Sequence, residues 1–147
     1  MKNKMKKSLL NATIFLALLY LSSCMGDGPA PMIWEFADYD KSAVSAVYAP
    51  DYFNQVTITA ASGYSGEITL RCTNYPQLTI DTNTDDGKYV DEKAGFAVSM
   101  VGGNTLKVTF MPVENVGESG AHAFVGITGR SGKDRNGTNM SVGRINK

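Results

Sequence analysis

Apolar and polar side chains alternate with a period of two along most of this chain. Val56-Thr57-Ile58-Thr59, Ile68-Thr69-Leu70-Arg71-Cys72, Phe96-Ala97-Val98-Ser99-Met100 and Leu106-Lys107-Val108-Thr109-Phe110 each turn every second residue to one face. Such alternation predicts strands with one buried face and one solvated face. Further strands are predicted over Ile33–Tyr39, Ala43–Tyr48, Leu78–Ile80, Ala121–Thr128 and Asn139–Ile145. Turn formers separate these runs: Pro50-Asp51, Ser62-Gly63, Asn74-Tyr75-Pro76, Asp85-Asp86-Gly87, Gly102-Gly103-Asn104 and Asn136-Gly137. Gly102-Gly103-Asn104 joins two alternating runs and predicts a hairpin. No stretch carries the apolar stripe of an amphipathic helix. Roughly eight or nine short strands, spaced roughly 8–12 residues apart, predict an all-β antiparallel sandwich of immunoglobulin-like architecture, with a small β-barrel as the alternative.

One apolar run breaks the alternation. Leu9 to Leu21 follows four lysines (Lys2, Lys4, Lys6 and Lys7) and ends in Leu21-Ser22-Ser23-Cys24. Its 13 residues, interrupted by Asn11 and Thr13, are too few to span a bilayer core, which takes about 20. A basic segment, a short apolar segment and small residues form the layout of a secretory signal. Leu21-Ser22-Ser23-Cys24 resembles the bacterial lipobox. That resemblance implies cleavage after Ser23, lipidation of Cys24, and attachment to a membrane through the lipid. An uncleaved anchor and an ordinary cleaved terminus are the competing readings. Several acyl chains hold a protein on a membrane durably, because each buried CH₂ contributes about 0.8 kcal/mol. The expected organisation is a signal over residues 1–23, a tether over 24–31 rich in Gly and Pro, and one domain over 32–147.

Cleavage also changes the charge. The whole chain balances 14 basic against 14 acidic residues, but only 10 of the basic ones lie after Ser23, so the mature protein carries −4. Nucleic acid is excluded as an expected partner, since that binding needs clustered Lys and Arg. With Cys24 lipidated, Cys72 is the sole remaining thiol and no internal disulfide forms. It shares a strand face with Ile68 and Leu70 and reads as a small core residue. No Cys/His spacing marks a redox or zinc site.

Candidate chemistry is sparse. Asp81, Asn83, Asp85 and Glu92 stand at the first, third, fifth and twelfth positions of an acidic segment, the oxygen-ligand spacing of a calcium loop. The glycine of such a loop arrives one residue late, at Gly87, and the flanks read as strands. The segment is therefore expected to be a solvated connection, with calcium in an irregular loop as the alternative. Gly63-Tyr64-Ser65-Gly66-Glu67 and Gly117-Glu118-Ser119-Gly120-Ala121 lack the last glycine and the helix of a nucleophile elbow. His122, the single histidine, is expected at a strand end on the surface, and no catalytic residue is assigned. Gly129 to Gly137 is expected to form a polar hairpin tip. Among the aromatic residues near predicted loops, Tyr48, Tyr52 and Tyr64 are candidates for stacking on a sugar or anchoring a protein partner. Packing over the ends of the sandwich is the competing account.

The lipobox together with one small β-domain resembles the small exported lipoproteins of Bacteroidetes. Ala123-Phe124-Val125-Gly126-Ile127-Thr128-Gly129 with Met140-Ser141-Val142 is similar to the last hairpin of Bacteroidetes-associated carbohydrate-binding domains, without that family's tryptophan motifs. The lipoprotein resemblance implies an outer-membrane location, with the facing side open, because Met25 is not the aspartate of inner-membrane retention. The expected function is a lipid-anchored, non-enzymatic binding or accessory module of the cell envelope, with glycan binding as the alternative. A protein or glycan partner is expected, and no cofactor beyond the calcium alternative.

Overall fold

Alternation of the kind read above buries one face of each strand, and two such faces closed on each other make the core. A computed structural model describes residues 28–51 and 55–146, and the fold lies in the compact unit Pro31–Lys147. The segment proposed as signal, the lipidation candidate Cys24 and the stacking candidate Tyr52 lie outside the described residues. The strands are β1 (Trp34–Phe36), β2 (Val44–Ala49), β3 (Gln55–Ala61), β4 (Gly66–Cys72), β5 (Gln77–Ile80), β6 (Tyr89–Asp91), β7 (Phe96–Gly102), β8 (Thr105–Phe110), β9 (Ala121–Ser131) and β10 (Asp134–Ile145). The described residues contain no helix.

The strands form two five-stranded sheets, ordered β1-β4-β8-β7-β6 and β2-β3-β10-β9-β5. This is a sandwich-like arrangement and not the closed barrel held as the alternative. One buried cluster draws on both sheets: Ile68, Leu70, Cys72, Phe96, Val98, Leu106, Val108 and Phe110 from the first, and Val56, Ile58, Val125, Ile127, Met140 and Val142 from the second. Cys72 is free and buried, sharing that face with Ile68 and Leu70.

Two expectations are corrected and one unpredicted strand is added. The sheets are not wholly antiparallel, because β10 runs parallel to β3, with Met140 beside Val56 and Ile145 beside Ala61. Parallel neighbours need a crossover rather than a tight turn, and strands of the other sheet separate β3 from β10 in the chain. Within the expected hairpin tip over Gly129 to Gly137 the turn itself is only Gly132-Lys133, and Asn136-Gly137, read as a breaker between strands, does not interrupt β10. Asp134 pairs with Ser131, and Asn136 and Gly137 lie inside β10 opposite Gly129 and Thr128. Gly132 has φ +60°, the left-handed backbone that a two-residue hairpin turn requires at its first central position. Finally, β6 carries no alternation to read: its three residues are all half-buried. The predicted Gly102-Gly103-Asn104 hairpin is present between β7 and β8, with a register irregularity between Met100 and Gly102.

At one end of β10 the apolar face holds a cation. Arg144 is 1% exposed, and its five N–H donors all reach main-chain carbonyls. Nε donates to Ala94 O at 2.8 Å, Nη1 to Ala61 O at 3.0 Å and Tyr64 O at 2.8 Å, and Nη2 to Gly95 O at 3.0 Å and to Met111 O. One side chain thereby ties the end of the second sheet to the chain entering β7 and leaving β8. Burial lowers the guanidinium pKa from its ordinary value, yet an arginine stays charged in proteins.

Candidate functional site

The residues proposed as calcium ligands do not converge. Both ends of the Asn83 side-chain amide are bound to one backbone position: its oxygen accepts from Val90 N at 2.7 Å and its nitrogen donates to Val90 O at 2.7 Å. Thr84 is bonded to the Lys88 main chain, and Lys88 Nζ pairs with Asp86 at 2.5 Å. The loop thus satisfies much of its own polarity. Asp81 turns the other way: its carboxylate lies over Gly126, where a Cβ would stand 2.9 Å from Asp81 Cγ. Asn83 and Glu92 line a hollow of about 600 Å³ between the loop and the first sheet, without Asp81 or Asp85. Among the described residues, no three His, Cys, Asp or Glu side chains are grouped to hold a metal ion.

The described tyrosine candidates are occupied elsewhere. Tyr48 Oη donates to Met32 O at 2.5 Å, and the ring is half-buried against the core. Burial, with smaller contributions from Cys72 and Asp51, raises its phenol pKa and keeps it neutral. Tyr64 packs edge-to-face on Phe110 with centroids 6.0 Å apart. Tyr75 is buried and Tyr89 stacks on Phe96 at 6.1 Å. Packing over the sandwich ends accounts for these rings.

The outward faces of the two sheets differ in chemistry. On the first, Arg71 pairs with Glu35 at 2.9 Å and Lys107 with Glu67 at 2.9 Å. Charged pairs laid across neighbouring strands make a well-solvated surface. The second sheet presents a different set. One row across it reads Val47, Thr57, Ser141, Phe124, and the next Ser45, Thr59, Gly143, His122. Neither row contains a charged residue other than the titratable His122. The exposed arginines Arg130 and Arg135 pair with each other near the hairpin tip, six residues or roughly 20 Å along β9 from Phe124.

Phe124 is 56% exposed, the most exposed large hydrophobic residue among those described. His122 stands edge-on to its ring, with centroids 5.6 Å apart and planes at 88°. Gly143, directly opposite His122, makes room for this arrangement: a Cβ there would stand 2.6 Å from His122 Cβ and 2.6 Å from Ala121 O. Two shallow hollows flank Phe124. One, of about 250 Å³, is lined by His122, Ser141, Thr59, Ser119 and Ile145 among others. The second, of about 370 Å³, is lined by Gln55, Asn139, Gly137 and Thr138. Among the described lining residues, Phe124 is the one that the two share.

Sequence reasoning placed His122 on the surface but overlooked Phe124. Phe124 lies in an apolar run, Ala123 to Val125, where alternation alone does not say which residues face out. A usable signal was His122 itself: once that polar residue is placed outward, Phe124, two residues on, shares its face. No protein-family model matches this chain. No curated protein and no solved structure matches it either.

Proposed function

We propose that this chain is a lipid-anchored envelope protein whose sandwich domain is a non-catalytic binding or accessory module. The observation that carries the reading is the asymmetry of the two outer faces: one is a surface of ion pairs, while on the other Phe124 projects from rows without Lys, Arg, Asp or Glu, with the Asp81 carboxylate over Gly126 as their acidic neighbour. A solvated aromatic ring on a flat, hydroxyl-bearing surface supplies contact area with little to desolvate. Catalysis is disfavoured on the same face. The hollow that holds His122 includes Ser119 and Ser141, with no Asp or Glu among its described lining residues to orient the imidazole.

The anchor is read from Leu21-Ser22-Ser23-Cys24 and the lysine-rich segment before it. In this reading the immunoglobulin likeness is architectural, supported by two face-to-face five-stranded sheets. The parallel β3–β10 pairing and the free Cys72 set it apart from antibody domains.

Cross-linking in intact cells tests the binding face. A photo-reactive residue placed at Phe124 or Thr57 is expected to capture an envelope component, and one placed at Thr69 on the ion-paired face is not. Equal capture from both faces, or from neither, overturns the reading. Mass spectrometry of the mature N-terminus checks the anchor: a diacylglyceryl adduct on Cys24 is expected, and an unmodified N-terminus at any other residue refutes it.

A further inference from the structure

We propose that the ligand of this face is a neutral, extended glycan that straddles Phe124, one sugar ring in each of the two flanking hollows. The inference rests on the binding-module reading and names its ligand class. Charge is the first argument. A ligand bearing carboxylate, sulfate or phosphate is recognised by Arg, Lys or a cluster of N–H donors. The rows through Phe124 and His122 offer no Lys or Arg. Arg144 borders one hollow, but its guanidinium is committed to five carbonyls in the core. Arg130 and Arg135 sit away at the hairpin tip, and the Asp81 carboxylate over Gly126 repels an anion.

The second argument is the kind of polarity present. Ser119, Ser141 and Thr59 line one hollow and Gln55 and Asn139 the other. Hydroxyls and amides both donate and accept hydrogen bonds, which suits a ligand whose polar groups are themselves hydroxyls. The Phe124 ring supplies an apolar π-face for the C–H face of a pyranose, and edge-on His122 holds that ring upright.

Size sets the third. The hollows, about 250 and 370 Å³, lie just below and just inside the low end of the roughly 300–1,000 Å³ typical of pockets for drug-sized ligands. Each accommodates one ring-sized unit, and their common wall at Phe124 makes a chain of units the natural occupant. A protein partner fits less well. Val47 and Phe124 are separated by two intervening strands bearing Thr57 and Ser141, about 14 Å at the usual strand spacing. Phe124 shares its hollow with the exposed Ile145, but that pair stands apart from Val47 and makes a patch smaller than the apolar core that centres a protein interface.

Affinity electrophoresis of the detergent-solubilised full-length mature protein tests this, with soluble β-glucan, xylan, mannan and galactan as neutral probes and polygalacturonate and heparin as anionic ones. Retardation by at least one neutral polysaccharide is expected, followed in calorimetry by affinity that rises from monosaccharide to oligosaccharide. Phe124→Ala is expected to weaken binding by about tenfold or more, as for loss of a central aromatic anchor, and Phe124→Trp to retain it. Both substitutions are at a solvent-facing position, and an unchanged thermal melt verifies the fold. Absence of retardation by every neutral probe, preference for the anionic ones, or binding indifferent to Phe124→Ala overturns the glycan. If cross-linking from Thr57 instead captures a protein, and Phe124→Ala abolishes that capture, the glycan fails while the binding module stands. Indifference to Phe124→Ala in both assays removes both.

Discussion

The guanidinium carbon of Arg144 lies 5.1 Å from the centre of the Phe110 ring, so a buried cation from the second sheet rests on an aromatic face of the first. Its remaining surroundings are the carbonyls of Ala61, Tyr64, Ala94, Gly95 and Met111. Removing the side chain leaves those acceptors without their donors, and an unsatisfied buried polar group costs about 1–3 kcal/mol. Arg144→Met is expected to destabilise the domain by about 3 kcal/mol or more. Arg144→Lys should recover only part of that loss, since an ammonium has three donors and no planar fork. Denaturant midpoints of the three proteins check both statements; an Arg144→Lys midpoint equal to wild type would show that charge alone suffices.

Two glycines separate backbone strain from steric exclusion. Gly132 has φ +60° with open space where a Cβ would stand, whereas Gly95 has φ +63° and a Cβ there would meet the Val113 side chain and lie 3.0 Å from Met111 O. Gly132→Ala is expected to cost about 1–2 kcal/mol, the left-handed penalty alone. Gly95→Ala should cost clearly more, because the carbonyls of Gly95 and Met111 also hold Arg144. Thermal melts of the two variants should therefore rank Gly95→Ala lower, and the reverse order would mean that Val113 yields without cost.

Much of this architecture was legible in the chain because period-two alternation reports burial directly. β3, β4, β7 and β8 each show it, and the inward residues read from the pattern are those in the core. Partner choice was not legible. Nothing local in Met140-Ser141-Val142 says that β10 lies parallel to β3, since that depends on where the chain returns after crossing the other sheet. Arg144 was equally opaque: a charged residue in a strand is ordinarily solvent-facing, and five scattered carbonyls become its partners only in the folded state. The packing of Tyr48 and Tyr64 was hidden for a related reason. Being near a loop in sequence does not decide whether a ring points out or packs over the core edge, as both of these do.

Glu67 provides a pH-dependent signature on the other sheet. Its hydrogen bond to Lys107, with that ammonium's charge and a hydrogen bond from Thr109, holds the carboxyl below its ordinary value of 4.5. A carboxylate whose pKa is depressed by folding stabilises the native state above the unfolded pKa, and that contribution fades as pH falls through the folded one. Glu67→Gln is expected to melt slightly below wild type at neutral pH, with the gap closing once the pH is well under 4.5. Because the pair is solvent-exposed the gap is small and shrinks with added salt. A gap that widened on acidification would contradict this assignment.

The acidic connection between β5 and β6 is expected to be held by Asn83 rather than by an ion. Its amide closes two hydrogen bonds on Val90, each 2.7 Å, and fixes the entry into the three-residue edge strand β6. Using those atoms as metal ligands would break both bonds, and Asp81, over Gly126, would have to leave the face of β9. Asn83→Ala is therefore expected to destabilise the domain by about 1–2 kcal/mol, to the same extent in calcium and in chelator. A ligand bound only by the native state must raise its stability. Melting temperatures of the wild-type protein with millimolar calcium and with chelator are thus expected to coincide, whereas a calcium-dependent rise lost in Asn83→Ala would restore the metal loop.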